Sequence, residues 1–268
     1  MHKYLKTLHT ICLKERINMR LDLYLTENNY CESRNKASET IKNGMVFVDG
    51  KNVMKPSFEV NDFSKIEIIG EFCRYVGRGG LKLECAIKAF SLDFNGKICA
   101  DIGASTGGFT DCMLQNGAKK VYAVDSGKNQ LHKKLREDKR VVCMEGVNAR
   151  YISRDILNDE CDIVTMDVSF ISQTLLYSAV TNILKDKGVF VSLIKPQFEA
   201  GKNAVGKNGI VKDKKIHTEV CKKIIEEAEK YGLKNISVTE SSILGSDGNK
   251  EFLALFRYNK INLKEENL

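Results

Sequence analysis

The sequence predicts an α/β protein: a doubly wound, mostly parallel sheet preceded by a small α+β module. Three observations lead there. Strand-like apolar runs alternate with helix-like segments from Lys97 to Lys195, the pattern of a parallel sheet covered by helices on both faces. Two of these runs, Val-Thr-Met-Asp-Val-Ser-Phe at 164–170 and Val-Ser-Leu-Ile-Lys-Pro-Gln-Phe-Glu at 191–199, reach Asp167 and Lys195, charges that a buried strand does not choose. A glycine-rich turn, Asp101-Ile-Gly103-Ala104-Ser105-Thr106-Gly107-Gly108, precedes both, so the charged ends fall where such sheets hold ligands, outside the carboxyl ends of the strands.

A chain of 268 residues has room for about two domains. Residues 1–18 carry Lys3, Lys6, Lys14 and Arg16 around a short apolar patch, too interrupted for a secretory signal, and no later run approaches the roughly 18 apolar residues of a membrane span. A cytoplasmic protein with no membrane partner is expected. Nine cysteines without a C-x-x-C pair fit neither a disulfide framework nor a zinc site, so they read as reduced thiols and no metal is expected. The net charge of +7 suits an anionic partner and a lysine-rich solvated surface equally.

Met19 directly precedes the first patterned segment, so residues 1–18 read as an extension or a misassigned start. Leu21, Tyr24 and Leu25 share the i, i+3, i+4 spacing of one helix face before the polar break at 26–29. A second helix follows, with Ser33 at the N-cap, Ala37 and Ile41 on the inner face and Gly44 just past the end. Met45 to Val48, Asp49-Gly50 and Lys51 to Val53 spell a hairpin, and Phe63 to Ile69 reads as a further strand. Glycines 77, 79 and 80 mark residues 71–80 as a linker, leaving 19–70 as a separate module.

The larger domain, 81–258, reads as a helix (Leu81–Phe90), a strand (Lys97–Ile102), a helix after Gly107-Gly108, a strand (Lys120–Val124) and further alternating units to Lys195. A loop rich in Gly, Lys and Asn leads to an amphipathic helix over Thr218–Tyr231, then strands at Ile236–Thr239 and Phe252–Phe256 that close the sheet with an antiparallel edge. The polar residues 259–268 read as a disordered tail. In the glycine-rich turn, Gly103 lets backbone approach a ligand at a helix N-terminus. The next strand ends in Asp125, a carboxylate placed to accept hydrogen bonds from ribose hydroxyls. An adenosine-containing cofactor follows, and dehydrogenase and methyltransferase both remain open on these residues.

Resemblance narrows the choice. Arg20-Leu-Asp and Ser33-Arg34-x-x-Ala37-x-x-x-Ile41-x-x-Gly44-x-Val46-x-Val48-x-Gly50 resemble the RNA-binding module named after small-subunit ribosomal protein S-four, which implies Arg20, Arg34, Lys36 and Lys42 as RNA-facing. The turn Asp-x-Gly-x-x-x-Gly-Gly, acid first, resembles the cofactor site of Rossmann-like methyltransferases. That implies S-adenosyl-L-methionine held by Asp101, Gly103, Ala104, Ser105, Gly107, Asp125 and Asn148.

Asp167 and Lys195 join Lys82, in Gly79-Gly-Leu-Lys-Leu-Glu84, and Glu251, in Gly248-Asn-Lys-Glu-Phe252. A desolvated lysine among carboxylates has opposing influences on its proton and suits acid–base work. Lys82 alone reads as a solvated helix lysine and Glu251 alone as a strand-edge charge. Together the set resembles the Lys-Asp-Lys-Glu residues of FtsJ-like ribose 2′-O-methyltransferases. The phrases Gly103-Ala-Ser-Thr-Gly-Gly-Phe-Thr110, Asp167-Val-Ser-Phe-Ile-Ser172, Lys195-Pro-Gln-Phe-Glu199 and Gly248-Asn-Lys-Glu-Phe252, with the N-terminal module, resemble the TlyA family of rRNA methyltransferases, once described as haemolysins, over residues 19–258.

The resemblance implies 2′-O-methylation of a cytidine in ribosomal RNA, with ribosomal subunits as substrate and no obligate protein partner. Lys195, oriented by Asp167 and Glu251, would deprotonate or aim the hydroxyl while Lys82 holds RNA or hydroxyl. Two departures stand out. Cys73-Arg-Tyr-Val76 sets the arginine of the family's basic-x-aromatic-Val linker phrase one place late, and the polar end at Leu268 lacks the helix of the subtype that modifies both subunits, which favours large-subunit rRNA. Two rivals from other classes are a non-catalytic ribosome-assembly protein and a membrane-active haemolysin; the latter lacks the amphipathic basic helix it would need.

Overall fold

The computed structural model describes residues 18–31, 33–42, 44–68, 74–201, 204–206, 209–245 and 248–260. The expected extension up to residue 17, the linker residues 71–73 and the tail from 261 lie outside them. The chain forms two compact units that divide between Arg74 and Tyr75.

In the first unit the expected helices and hairpin form. Helices α1 (Leu21–Glu27) and α2 (Arg34–Lys42) turn Leu21, Leu25, Ala37 and Ile41 onto Val46, Val48 and Val60, all essentially buried. Burial of side chains such as Leu21, Leu25 and Ile41 is worth about 1.5–3 kcal/mol each relative to exposure. The Ser33 hydroxyl accepts the Lys36 amide at 3.3 Å, as an N-cap does. Strand β1 (Met19–Arg20), missed from the sequence because two residues carry no alternation, pairs antiparallel with β4 (Glu59–Val60). Strand β2 (Val46–Val48) is the centre of a three-stranded sheet between β3 (Lys51–Asn52) and β5 (Ile66–Ile68), antiparallel to both. Asp49 and Gly50 at the hairpin turn have φ of 50° and 76°, the left-handed pair of a type I′ turn.

The second unit holds a seven-stranded sheet of β6 (Ile98–Ile102), β7 (Lys120–Asp125), β8 (Val141–Glu145), β9 (Cys161–Met166), β10 (Leu184–Ile194), β11 (Leu233–Glu240) and β12 (Phe252–Tyr258), in the order β11-β12-β10-β9-β6-β7-β8. Strands β8 to β10 of that order are mutually parallel, while β12 runs antiparallel to both β10 and β11, the expected antiparallel edge. The chain builds outward from β6 through β7 to β8, then crosses back to lay β9 on the other side of β6. That reversal is the switch point at which such sheets open a crevice for ligands. Val164, Phe190, Ile194, Ala254 and Phe256 centre the core. Among the described residues, α3 (Gly79–Phe90), α4 (Gly108–Gln115), α5 (Lys133–Arg136), α6 (Arg154–Leu157), α7 (Tyr177–Ile183), α8 (Pro196–Glu199) and α9 (Lys214–Glu229) flank or interrupt the sheet.

Several boundaries differ from expectation, β5 beginning at Ile66 and β11 spanning Leu233–Glu240 among them, and two have a visible local cause. Helix α9 starts at Lys214 rather than Thr218 because the Asp213 carboxylate accepts the Lys215 amide at 2.8 Å and caps it. Residues 75–80, expected in the linker, belong to the second unit: Tyr75 is buried, and a Cβ on Gly80 would meet its ring at 2.3 Å. The glycines there serve close packing at the start of α3 rather than a loose joint.

Candidate active site

Strand β6 delivers Asp101 and Gly103 to the centre of the sheet. Gly103 has φ of +83°, and a Cβ there would stand 2.3 Å from the carbonyl oxygen of Asp167, so only glycine lets the turn lie against the end of β9. The turn is held from the other side by Asp125 at the end of β7, whose carboxylate accepts the Ser105 and Gly127 amides at 2.7 Å each. Each carboxylate oxygen can accept more than one hydrogen bond, so Asp125 keeps capacity for hydroxyls of a ligand.

Asp101 is placed differently from expectation. It is 0% exposed, below the turn, with Oδ2 accepting the Thr110 hydroxyl at 2.7 Å and Oδ1 accepting the Thr165 hydroxyl at 3.1 Å. Burial pushes its carboxyl up to about 7 in spite of both hydroxyls. A side chain without accessible surface cannot touch a cofactor, so Asp101 is a strut under the loop. Gly107 caps α4 and packs against Leu135, and Asn148 turns its side-chain oxygen to the Arg150 amide at 3.1 Å. Neither lines the recess at the turn.

That recess is lined by Gly79, Gly103, Ala104, Ser105, Thr106, Gly108, Phe109, Asp167, Ser169 and Lys195. Most of its lining is small side chains and backbone, and Asp125, like Gly107 and Asn148, is not among these residues. A second recess adjoins it, holding Lys82, Asp167, Lys195 and Glu251 together with Arg78, Phe170, Gln197, Phe198 and Leu244. The two share Gly79, Asp167, Ser169 and Lys195.

Four charges from α3, the end of β9, the end of β10 and the approach to β12 thus converge, as two ion pairs. Lys195 Nζ lies 2.5 Å from Asp167 Oδ1 and donates to Ser169 Oγ at 2.8 Å. Lys82 Nζ lies 2.5 Å from Glu251 Oε2, with both side chains almost wholly buried. Glu251 therefore pairs with Lys82, not with Lys195 as the sequence led us to expect. The difference follows from Glu251 and Lys82 facing each other across the recess.

Sequence reasoning missed several residues that line or support the site. Phe170 is 91% exposed at φ +64°, with its ring centroid 5.0 Å from that of Phe198. A phenylalanine after an apolar strand reads as core, and nothing local signals its outward turn. Glu199 is buried behind the site, its carboxylate accepting the Ser172 hydroxyl at 2.7 Å and the Gln173 amide at 2.9 Å. It ties the loop after Asp167 to the helix after Lys195. Asn249 is also fully buried; its amide accepts from Val211 N and donates to Gly209 O, both at 2.9 Å.

In the first unit, the buried Asp22 carboxylate binds Arg20 through two bonds, at 3.0 and 2.9 Å, and Arg34 at 3.1 Å. The two guanidiniums hold its carboxyl down at about 2, Arg20 contributing most. Both keep roughly half of their surface exposed. Lys36 pairs with Glu39 at 3.5 Å, and Lys42 is exposed at the end of α2.

The profile of the FtsJ-like methyltransferase family matches residues 75–258, and that of the S4 domain matches residues 19–65. "Hemolysin A" of Brachyspira hyodysenteriae is 45% identical over 239 residues, 89% of this chain and 99% of the relative. The "16S/23S rRNA (cytidine-2′-O)-methyltransferase TlyA" of Mycobacterium tuberculosis is 36% identical, covering 89% of each chain. A solved structure titled as a hemolysin from Streptococcus thermophilus superposes with a TM-score of 0.72 at 42% identity, covering 92% of this chain and 91% of that one. The glycine turn over a Lys-Asp-Lys-Glu constellation and these likenesses agree, and the chain belongs to the FtsJ-like methyltransferases, in the TlyA group that carries an S4 domain.

Proposed function

We propose that the protein transfers a methyl group from S-adenosylmethionine to the ribose 2′-hydroxyl of a cytidine in ribosomal RNA. One observation carries the reading: the recess at the glycine turn and the charged recess meet at Asp167, Ser169 and Lys195. A hydroxyl held over that junction faces the glycine-turn recess behind it. S-adenosylmethionine supplies an electrophilic methyl on a sulfonium. The chain's own work is to bring the 2′-oxygen in line with that methyl, which is where positioned reactions gain most of their rate.

Lys195, fixed by Asp167 and Ser169, orients the hydroxyl. As the 2′-oxygen takes up the methyl that the bound sulfonium would supply, its proton would pass to the Lys195–Asp167 pair and thence to water. Lys82 and Glu251 hold the opposite wall. Phe170 and Phe198 offer aromatic faces on which the displaced nucleobase stacks, a contact worth about 1–3 kcal/mol for single-stranded RNA. The first unit grips structured RNA through phosphate and shape contacts, with Arg20 and Arg34 held ready by Asp22. The relatives' activity on rRNA supports ribosomal subunits in the cytoplasm as the substrate, and large-subunit RNA is the first to assay.

The test is transfer of labelled methyl from S-adenosylmethionine to unmodified small and large subunits separately, with nuclease mapping of the product. Lys195→Ala should abolish transfer while cofactor binding persists; wild-type activity in that variant would overturn the mechanism. Asp125→Ala should weaken cofactor binding instead. Cofactor binding without transfer to either subunit would favour the inert assembly-factor reading. For a membrane-active reading, no described helix is long and apolar enough to cross a membrane.

A further inference from the structure

We propose that Arg78 forms a phosphate subsite at the rim of the charged recess, taking the RNA backbone phosphate beside the target ribose. The proposal rests on the RNA reading above and goes beyond its four central residues. Three cations, Arg78, Lys82 and Lys195, line this recess against two carboxylates, Asp167 and Glu251. Each carboxylate is matched at 2.5 Å by a lysine. Arg78 has no carboxylate partner among the described residues, so the recess keeps one positive charge in excess.

Its position is set by the backbone. Gly79 lines both recesses, and a Cβ there would be in ordinary contact with the Phe109 ring at 3.4 Å and with Asp167 Oδ2 at 3.9 Å. Arg78 is the adjoining residue. Its Nη2 donates to the carbonyl oxygen of Leu244 at 3.2 Å, in the segment that leads to Glu251. A guanidinium has five N–H donors in a planar fork, and one bond to a carbonyl leaves most of them for a planar, bidentate partner. In RNA every internal 2′-hydroxyl sits next to a 3′-phosphodiester. A nucleotide that delivers its 2′-oxygen to Lys195 and Asp167 therefore brings a phosphate to the same rim. Arginine and phosphate form charge-assisted paired hydrogen bonds. A third carboxylate would have neutralised the recess, whereas this arrangement reserves a cation for the substrate.

The test compares the full-length wild type with Arg78→Ala and Arg78→Lys. Binding of an unmethylated large-subunit rRNA transcript is measured by filter retention across a salt series, S-adenosylmethionine binding by calorimetry, and methyl transfer by label incorporation. For Arg78→Ala the slope of log K against log salt should become shallower by about one unit, as for loss of one phosphate contact. The KM for RNA should rise more than kcat falls, with cofactor affinity unchanged. Arg78→Lys, which keeps the charge, should keep most of the slope. An unchanged slope in Arg78→Ala, with kcat lost, would overturn the proposal and leave Arg78 as a brace for the Glu251 segment. A wild type that binds the transcript but transfers no methyl would refute the parent reading, while the slope comparison would still decide the role of Arg78.

Discussion

A methyl group added at Gly103 would press on the carbonyl of Asp167 at 2.3 Å, and the left-handed φ there adds about 1–2 kcal/mol of strain for any other residue. Gly103→Ala should therefore weaken S-adenosylmethionine binding and methyl transfer together, by about tenfold or more for a cost of that size, as calorimetry and label transfer would show. Glu199 acts one step further back. Glu199→Ala removes the acceptor that ties Ser172 and Gln173 to α8, so kcat should fall while the KM for cofactor holds. Glu199→Gln can still accept the Gln173 amide and donate to the Ser172 hydroxyl, so it should restore most of the rate. Equal losses in both variants would show that the charge, not the tether, matters. Asp167 and Lys195 were legible because charges at strand ends stand out against apolar runs, whereas Lys82 and Glu251 entered only through resemblance. The pairing was not legible, since Glu251 meets Lys82 only when β12 inserts beside β10.

At the scale of elements, the sequence read the alternating units well and the boundaries less so. Apolar periodicity marked β6, β7 and α4, whereas the start of α9 depended on the Asp213 cap and the start of α3 on Tyr75 beneath Gly80. Strand β12 reads as an apolar run, yet its slot between β10 and β11 is a product of long-range pairing. Glu251 immediately precedes β12, and the turn before it is anchored by Asn249. Asn249→Ala would leave the buried Val211 amide and Gly209 carbonyl without partners, at a cost of about 1–3 kcal/mol for each such group. Thermal unfolding should shift down, and activity should fall further than Tm alone explains, because Glu251 loses its support.

Over the whole molecule, the two units carry buried carboxylates with opposite responses to pH. Asp22, held at about 2 against an ordinary 3.8, contributes stability above pH 3.8 that is lost as pH falls through 2. Half-exposed guanidiniums screen that pair, so its worth is on the order of 1 kcal/mol. Asp101 is raised to about 7, so its contribution is full below pH 3.8 and declines as pH rises to 7, where the folded protein must ionise a buried acid. Asp101→Asn should therefore raise Tm relative to wild type at pH 8 more than at pH 5, and Asp22→Asn should lower it at pH 7 but much less at pH 2. Calorimetric scans of the full chain at these pH values would check both, and a pH-independent effect at Asp101 would contradict its burial as an acid.

The sequence by itself marked a two-part chain, the doubly wound class and the two strand-end charges Asp167 and Lys195 as site candidates. These follow from local periodicity, from turn chemistry and from charges that no strand interior tolerates. Only the tertiary structure decided which charges pair, that Asp101 lies under the cofactor loop, that Phe170 faces outward, and that Arg78 is the cation left over. Each of those depends on residues from distant strands meeting at the crevice between β6 and β9, and a meeting of that kind is written in the packing of the sheet rather than in any one stretch of chain.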